Sequence, residues 1–446
     1  MKPKVVLVGA GSLFFGRQFI GAMINSETLR NGTAALVDLN AAKLDKMVKL
    51  AQKAIEVSGS PLKLEWSTDR KDVLKDADFV VLSFANEGVR YRKIDCETSE
   101  KYGVRMCSGD TIGPGGIFRA MRELPEILRI AGDVARLCPD AWVINYINPT
   151  AVNGLGLAKY ANVKSFALCD GFHMPRYEQN LMELVVPDNG DIEKFRLNVA
   201  GVNHFTWILD IRYDGKDASG LLRKKYAELA KTETNEGYSK AIFNFTYSAM
   251  LWDIFGLCPA CVGHTKEYVP YWQGRGVLPD LPASLTIFDA DSRQKNHDAM
   301  WGEVDKFIAG DICINDFTTK YKTDHATDII EAMWSGKKQP YYINTLNRGA
   351  VPNLPDDAFL ELKCDVGMDG PAPRAAGPFP AGLRSLEMQV IDTHELTVEA
   401  IMTKDIKILR RAMLTDPIVN SISDADAIID ELLKSERGAL PHEWYT

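Results

Sequence analysis

The sequence predicts an α/β protein built on a doubly wound parallel sheet of Rossmann type, followed by a C-terminal mixed α+β domain. Short apolar runs alternate with amphipathic helical stretches through the first ~190 residues, the pattern of buried parallel strands covered by helices on both faces. The first run, Val5-Val6-Leu7-Val8, meets Gly9-Ala10-Gly11-Ser12 and then a helical stretch. The second run ends in an acid, Asp38.

Lys4–Val8 reads as the first strand and Phe14–Asn25 as the first helix. Thr33–Val37 is the second strand, Ala41–Ser58 a long amphipathic helix and Phe79–Phe84 a fully apolar strand. Ile117–Leu137 reads as helix, and Trp142–Tyr146 and Val163–Leu168 as two more strands. After Pro187 the pattern loosens, so the chain divides into a Rossmann domain over 1–190 and an α+β domain over 191–446. Phe195–Val202 and Thr206–Tyr213, followed by an Asp214-Gly215 turn, read as strands of a different, mixed sheet. Leu221–Thr232, Tyr238–Phe255, Ser292–Ala309, Leu396–Leu414 and Ala425–Lys434 read as helices. Asp365–Arg384, rich in Gly, Pro and Ala, reads as a surface loop.

Composition excludes several function classes. Apolar residues make up 46% and charged residues 25% of 446, enough for a large core without staples. A formal net charge of −8 disfavours nucleic acid and anionic membrane surfaces as partners. No apolar run approaches the ~20 residues of a membrane span. Met1-Lys2-Pro3-Lys4 runs straight into the first strand, so no secretory leader is expected. Eight scattered cysteines are too few for a disulfide scaffold and point to a reducing, cytoplasmic setting.

The glycine loop suits a pyrophosphate. Gly9 and Gly11 let the backbone approach it, Ser12 opens the helix whose N-terminus faces its charge, and Asp38 is placed to hold ribose hydroxyls, which favours NAD over NADP. The third glycine of the usual pattern is absent: position 14 is Phe and the next glycine is Gly16. A tight strand–helix turn in another α/β protein reads the same way. Gly109-Asp110-Thr111-Ile112-Gly113-Pro114-Gly115-Gly116 is a second glycine-rich turn, either a ligand loop or a structural one. Asn148 follows a strand end, where doubly wound sheets bind ligands, and its amide both donates and accepts; an Asn before Pro149 also simply starts a turn. Cys169-Asp170 closes the next strand, and Asn203-His204 lies further along. A thiolate and an imidazole can hold Mn, Zn or Fe with positions left open, although a buried thiol and a satisfied histidine match the spacing as well. Cys258-Pro259-Ala260-Cys261 has no second pair to complete a zinc site.

Taken in order, these segments resemble glycoside hydrolase family 4. The resemblance rests on Gly9-Ala10-Gly11-Ser12, Gly109-Asp110-Thr111-Ile112-Gly113-Pro114-Gly115-Gly116, Asn145-Tyr146-Ile147-Asn148-Pro149, Cys169-Asp170 and Gly201-Val202-Asn203-His204-Phe205-Thr206-Trp207. It continues through His264, Glu267, Tyr268 and Pro270, and through Asn347, Gly349, Val351, Asn353, Leu354 and Pro355. It implies a fold like that of lactate and malate dehydrogenases and a glycosidase that dispenses with the paired-carboxylate scheme. Bound NAD would oxidise C3 of the sugar, elimination would cleave the C1–O bond, water would add, and the hydride would return.

The resemblance also implies roles. Cys169 and His204 match metal ligands, with Mn²⁺ the expected cation. Tyr268 matches the base that takes the C2 proton, and Asp170 the acid that protonates the leaving oxygen. Asn148, Arg92 and Arg293 match substrate contacts, and Asp110 stands where relatives carry Glu near the metal. Asn148 is also placed against the cofactor. The implied substrate is a small α-glycoside, an α-galacturonide, α-glucuronide or α-galactoside, with a 6-phospho-α-glucoside as the alternative, and the implied assembly is a homodimer or homotetramer. Cys169-Asp170 is followed by Gly171-Phe172, with Met174-Pro175 only later, a departure from phospho-α-glucosidases. Arg90, Arg92, Arg119 and Arg122 are available for a carboxylate or phosphate. Two other readings compete: a 2-hydroxy-acid dehydrogenase with a His–Asp proton relay, and a non-enzymatic NAD-sensing protein.

Overall fold

The computed structural model describes residues 2–186, 190–232, 245–272 and 288–446. The first half runs β1 (Lys4–Val8), α1 (Leu13–Asn25), β2 (Thr33–Val37), α2 (Ala41–Ser58), β3 (Lys63–Ser67), α3 (Lys71–Leu74), β4 (Phe79–Leu82), α4 (Gly88–Lys101), α5 (Gly113–Leu137), β5 (Trp142–Asn145), α6 (Thr150–Tyr160), β6 (Lys164–Ala167) and α7 (Arg176–Val185). The second runs β7 (Phe195–Val202), β8 (Phe205–Tyr213), β9 (Lys216–Asp217), α8 (Ser219–Thr232), α9 (Phe245–Phe255), β10 (Cys258–Pro259), α10 (Ala290–Ala309), α11 (Ile314–Lys320) and α12 (His325–Ser335). It closes with β11 (Pro340–Leu346), β12 (Phe359–Asp365), β13 (Ala372–Pro373), α13 (Ala381–Thr403), α14 (Ile406–Thr415) and α15 (Ile422–Ser435).

The parallel part of the sheet has the order β3-β2-β1-β4-β5-β6, the doubly wound order in which the strand sequence reverses between β1 and β4. Alternate residues of each strand serve opposite faces. Val5, Leu7, Phe79 and Val81 enter one core; Val6, Val8, Val80 and Leu82 enter the other, against Ile127, Ile130 and Val134 of α5.

The strands expected in a separate sheet extend the same one. β11 pairs antiparallel with β6 at Asn344 and Ala167, and the order continues through β12, β7, β8 and β10. β11 and β12 were not expected as strands. They cover the edge that β6 would otherwise leave open, and an unpaired edge is a liability.

Other expectations need correction. Asp365–Arg384 is not one loop: β13 pairs back onto β12, and α13 starts at Ala381 after Pro380. Leu396–Leu414 is not one helix: Lys404 is left-handed at φ 57°, and the Asp405 side chain caps α14 by accepting from Lys407 N–H. The helix expected over Tyr238–Phe255 is present from Phe245, and its first residues lie outside those described. No helix among the described residues is long and apolar enough to cross a membrane.

Candidate active site

The glycine loop lies at the reversal point of the sheet. Gly9 has φ +95°, and a Cβ there would sit 2.1 Å from the Ser83 carbonyl oxygen beyond β4, so no other residue can occupy it. Gly9 and Ala10 N–H groups both donate to Val37 O, at 2.8 and 2.9 Å. Ser12 is the N-cap residue of α1, with no side-chain cap bond. Asp38 braces this loop: Oδ2 accepts from Gly11 N–H and Oδ1 from Asn40 N–H, each at 2.8 Å. Its remaining lone pairs are free to meet a ribose. The missing third glycine is replaced two residues later, because a Cβ on Gly16 would meet the Ala10 carbonyl oxygen at 2.3 Å. Close helix–strand packing is therefore kept with Phe14 at the usual glycine position.

The loop after β5 presents Asn148. Asn145 locks Ile147 with two 3.1 Å bonds, and Asn153 Nδ2 adds a third to Ile147 O at 2.9 Å. Asn148 precedes a cis proline, and its Oδ1 accepts from Thr150 Oγ1 at 2.8 Å.

Cys169 and His204 come together. Cys169 follows β6, His204 lies in the two-residue turn joining β7 and β8, and His204 Nε2 stands 3.1 Å from Cys169 Sγ. His204 has φ +69°, an uncommon backbone state for a side chain of this size. Its Nδ1 is buried without a partner among the described residues, and its ring stacks on His264 at 4.2 Å. Burial, with His264 adding to it, pushes the imidazole well below its ordinary range, so it stands neutral. Burial pushes the Cys169 thiol up, with Glu361 and Cys261 adding to it, while Gly171 N–H and the Asn203 side chain oppose. No group of three or more His, Cys, Asp or Glu side chains able to hold a metal ion occurs among the described residues.

Tyr268 joins this cluster from the short turn Thr265–Tyr268, its ring stacked on Phe205 at 5.2 Å. Burial raises its phenol well above the ordinary value; Glu267, Asp110 and Cys169 add to that, and Thr111 opposes. Asp110 lies between two guanidiniums, Arg119 Nη1 at 2.7 Å and Arg92 Nη1 at 3.2 Å. Burial raises its carboxyl, but Arg92 and Arg119 outweigh that and hold it below the ordinary range. Arg92 also lies over the Phe288 ring at 4.0 Å.

Two further expected site residues have charged neighbours of their own. Asp170 follows Cys169, yet its charged neighbours are His173 and Arg176, and burial raises its carboxyl against their pull. No hydrogen bond or ion pair among the described residues links Arg293, on α10, to Arg92, Asp110, Cys169 or His204; it stands near His297. The Asn347 segment is a structural lock: Asn347 Nδ2 donates to Val351 O, Leu354 O and Pro355 O at 3.0–3.2 Å. Cys258 and Cys261 are buried free thiols.

Sequence reasoning missed the supports beneath His204. Glu361, fully buried in β12, accepts from Asn203 Nδ2 and Asn344 Nδ2 at 3.3 Å each and from His204 N–H. Glu387 of α13 accepts from Val202 N–H at 2.9 Å. A lone acid inside the apolar run Phe359-Leu360-Glu361-Leu362 was the available signal. Also missed was a His–Asp pair, His173 Nε2 to Asp328 Oδ2 at 2.8 Å.

A doubly wound sheet with a glycine loop at its reversal point, beside a thiol–imidazole pair, defines a dinucleotide-type fold. The family model for family 4 glycosyl hydrolases matches residues 4–183, and that for their C-terminal domain matches 199–419. The chain belongs to family 4 of the glycosyl hydrolases and is a glycosidase. It is 28% identical to an α-galactosidase of Bacillus subtilis, covering 98% of this chain and 99% of that one. It is 27% identical to an α-galacturonidase of Thermoanaerobacter italicus, covering 97% and 96%. Among solved structures, lplD from Bacillus subtilis superposes with a TM-score of 0.84 at 27% identity, covering 97% of this chain and 100% of that one. A 6-phospho-α-glucosidase from gut microorganisms, solved with NAD and Mn²⁺, shares the fold at 20% identity and a TM-score of 0.80, covering 99% of each.

Proposed function

We propose that this family 4 glycosidase cleaves the α-glycosidic bond of an unphosphorylated sugar, an α-galacturonide, α-glucuronide or α-galactoside, with NAD and a divalent cation, Mn²⁺ foremost. The observation that carries the reading is the 3.1 Å approach of Cys169 and His204, with Tyr268 and Asp110 in the same cluster. The residues suit both groups. A sulfur and a neutral imidazole nitrogen facing each other form a two-donor set for a borderline cation, which leaves positions for sugar oxygens. Gly9, Gly11, Ser12, Asp38 and Asn148 would hold the dinucleotide, in a cradle that a Cβ on Gly9 would fill. When bound, the dinucleotide supplies a reversible hydride acceptor, and the cation supplies Lewis-acid polarisation.

The chain's own side chains move the protons. Tyr268 takes the C2 proton. Burial and neighbouring acids keep its phenol protonated, so its action depends on positive charge brought to Cys169 and His204. Asp170 protonates the leaving oxygen, and burial favours the protonated form that this role requires. Arg92 and Arg119 both pair with Asp110, Arg119 has Glu123 beside it as well, and the Arg92 guanidinium is the group offered to a C6 carboxylate. The same guanidinium serves a 6-phosphate, the alternative substrate.

The test is a panel of aryl α- and β-glycosides, plain, 6-phosphorylated or oxidised to the C6 carboxylate, assayed with NAD⁺, Mn²⁺ and reductant. Cleavage of plain or uronide α-glycosides is expected, and silence across the panel overturns the reading. Run in D₂O, the product should carry deuterium at C2; a product without it rules out elimination.

A further inference from the structure

α10 lies beside α2 in parallel register. Lys46 Nζ stands 2.7 Å from Asp305 Oδ1 and 5.7 Å from the Trp301 ring centre, and Lys53 Nζ donates to Ile308 O at 3.0 Å. Following that register back one turn brings Lys43 level with His297. One turn further, Arg293 comes level with the start of α2 and the Asp38 corner. The same N-terminal end of α10 borders the substrate cluster, where Phe288, just before the helix, packs under Arg92. The first turns of α10 therefore lie between the Arg92 cluster and the wall of the glycine loop. Lys43 belongs to that wall, since a Cβ on Gly11 would lie 3.0 Å from Lys43 Cβ.

Three basic groups thus gather at the loop. Burial lowers His297, and the nearby charges of Arg293 and Lys43 lower it further, with Asp298 opposing. The acids nearby are engaged elsewhere: Asp38 on Gly11 and Asn40 N–H, Asp298 on Gln294, and Asp291 near Lys93 at 3.8 Å. Lys43 and Arg293 have no ion pair or side-chain hydrogen bond among the described residues. Like charges held together without a counterion are at a disadvantage until an anion arrives.

We propose that Lys43, Arg293 and His297 form a phosphate subsite for the adenylate half of the dinucleotide, facing the amides of the glycine loop. The inference rests on the reading that this chain binds a nicotinamide dinucleotide. It moves Arg293 from the sugar, where the resemblance put it, to the cofactor. The shared chemistry is a phosphoryl group, from the diphosphate bridge of NAD or the 2′-phosphate of NADP. Arg and Lys there give charge-assisted bonds that salt weakens.

The experiment titrates NADH and NADPH fluorescence on the full chain at low and moderate salt, comparing Lys43→Gln, Arg293→Gln and the double variant. Lys49→Gln, nearly two helical turns along α2 and paired with Asp45, is the control. Five- to tenfold weaker NADH binding is expected for each single variant, with a flatter salt dependence for the double. A loss confined to NADPH upholds the subsite and assigns it to the 2′-phosphate. Unchanged affinity for both nucleotides, in variants with wild-type circular dichroism, overturns the subsite while the glycosidase reading stands. A wild-type chain that binds neither nucleotide overturns the cofactor reading and the subsite with it.

Discussion

Replacing Glu361 with alanine tests whether the Cys169–His204 pair depends on the strand behind it. The substitution strips acceptors from Asn203 Nδ2, Asn344 Nδ2 and His204 N–H, all deep in the sheet. A buried donor left unmade costs ~1–3 kcal/mol, so the low end over three donors, with the cavity added, sums to about 4–5 kcal/mol. That is a large share of the 5–15 kcal/mol typical of a folded chain. Glu361→Gln keeps the length and one acceptor, and its amide meets one donor it cannot accept from, so about 1–2 kcal/mol is expected. Burial holds the Glu361 carboxyl up at about 8, against the pull of its three donors, so a neutral Gln is the closer mimic at pH 7. Supports of metal-binding histidines alter metal affinity by about 10–100-fold. Free Mn²⁺ would be followed by electron paramagnetic resonance in parallel with urea denaturation. Mn²⁺ binding at least tenfold weaker is expected in Glu361→Ala, with Glu361→Gln within threefold of wild type. A folded Glu361→Ala chain that binds Mn²⁺ like wild type refutes the reasoning. If the alanine variant does not fold, Asn344→Ala, which removes a partner of Glu361 and leaves the carboxyl in place, carries the same test with an intermediate loss expected.

Asp416 makes stability depend on pH. Burial pushes its carboxyl from the ordinary 3.8 up to about 7, despite bonds from Ile418 and Gly113 N–H. A raised carboxyl contributes fully below the unfolded value and is lost as pH rises through the folded one, so wild type should lose about 3 kcal/mol relative to Asp416→Asn between pH 5 and 8. Urea titrations of both proteins across that range check it, and a flat difference shows the carboxylate to be ionised in the fold. Gly9→Ala should cost more than about 3 kcal/mol and abolish NADH binding, whereas Gly59→Ala, at φ +63° with nothing within 4 Å, should cost about 1 kcal/mol; thermal melts and NADH titration separate strain from collision. Tyr268→Phe should keep KM and lower kcat by about 10²–10⁴-fold with loss of C2 deuterium exchange, and an unchanged exchange rate removes Tyr268 as the base. Cys169→Ser should lose activity that added Mn²⁺ does not restore, and a serine variant of wild-type activity removes the ligand assignment.

The nucleotide-type half was legible because its signals are local. A strand, a glycine loop, a helix and an acid lie in consecutive residues, and apolar runs report burial on both faces of a parallel sheet. β11 and β12 were not, because Asn344 and Glu361 interrupt their apolar pattern with the polar groups that serve the site. The break at Lys404 also escaped notice, since a lysine in the left-handed state carries none of the sequence mark that glycine leaves. Cys169, His204 and Tyr268 were recoverable only through the ordered motifs, because ligands from separate strands have no fixed spacing.

The bridge between Ala167 and Asn344 has a mechanical meaning. Through it the glycine loop and the His204 turn hang from one hydrogen-bonded ladder, and a single apolar core runs from Val5 to Trp444. Enzymes with two independent lobes admit substrate by swinging one lobe away from the other, a motion that here would tear paired strands apart. Entry and release must instead be handled by short segments around a stationary frame. Turnover would then respond to changes in those segments, with no hinge between the two halves to loosen or stiffen.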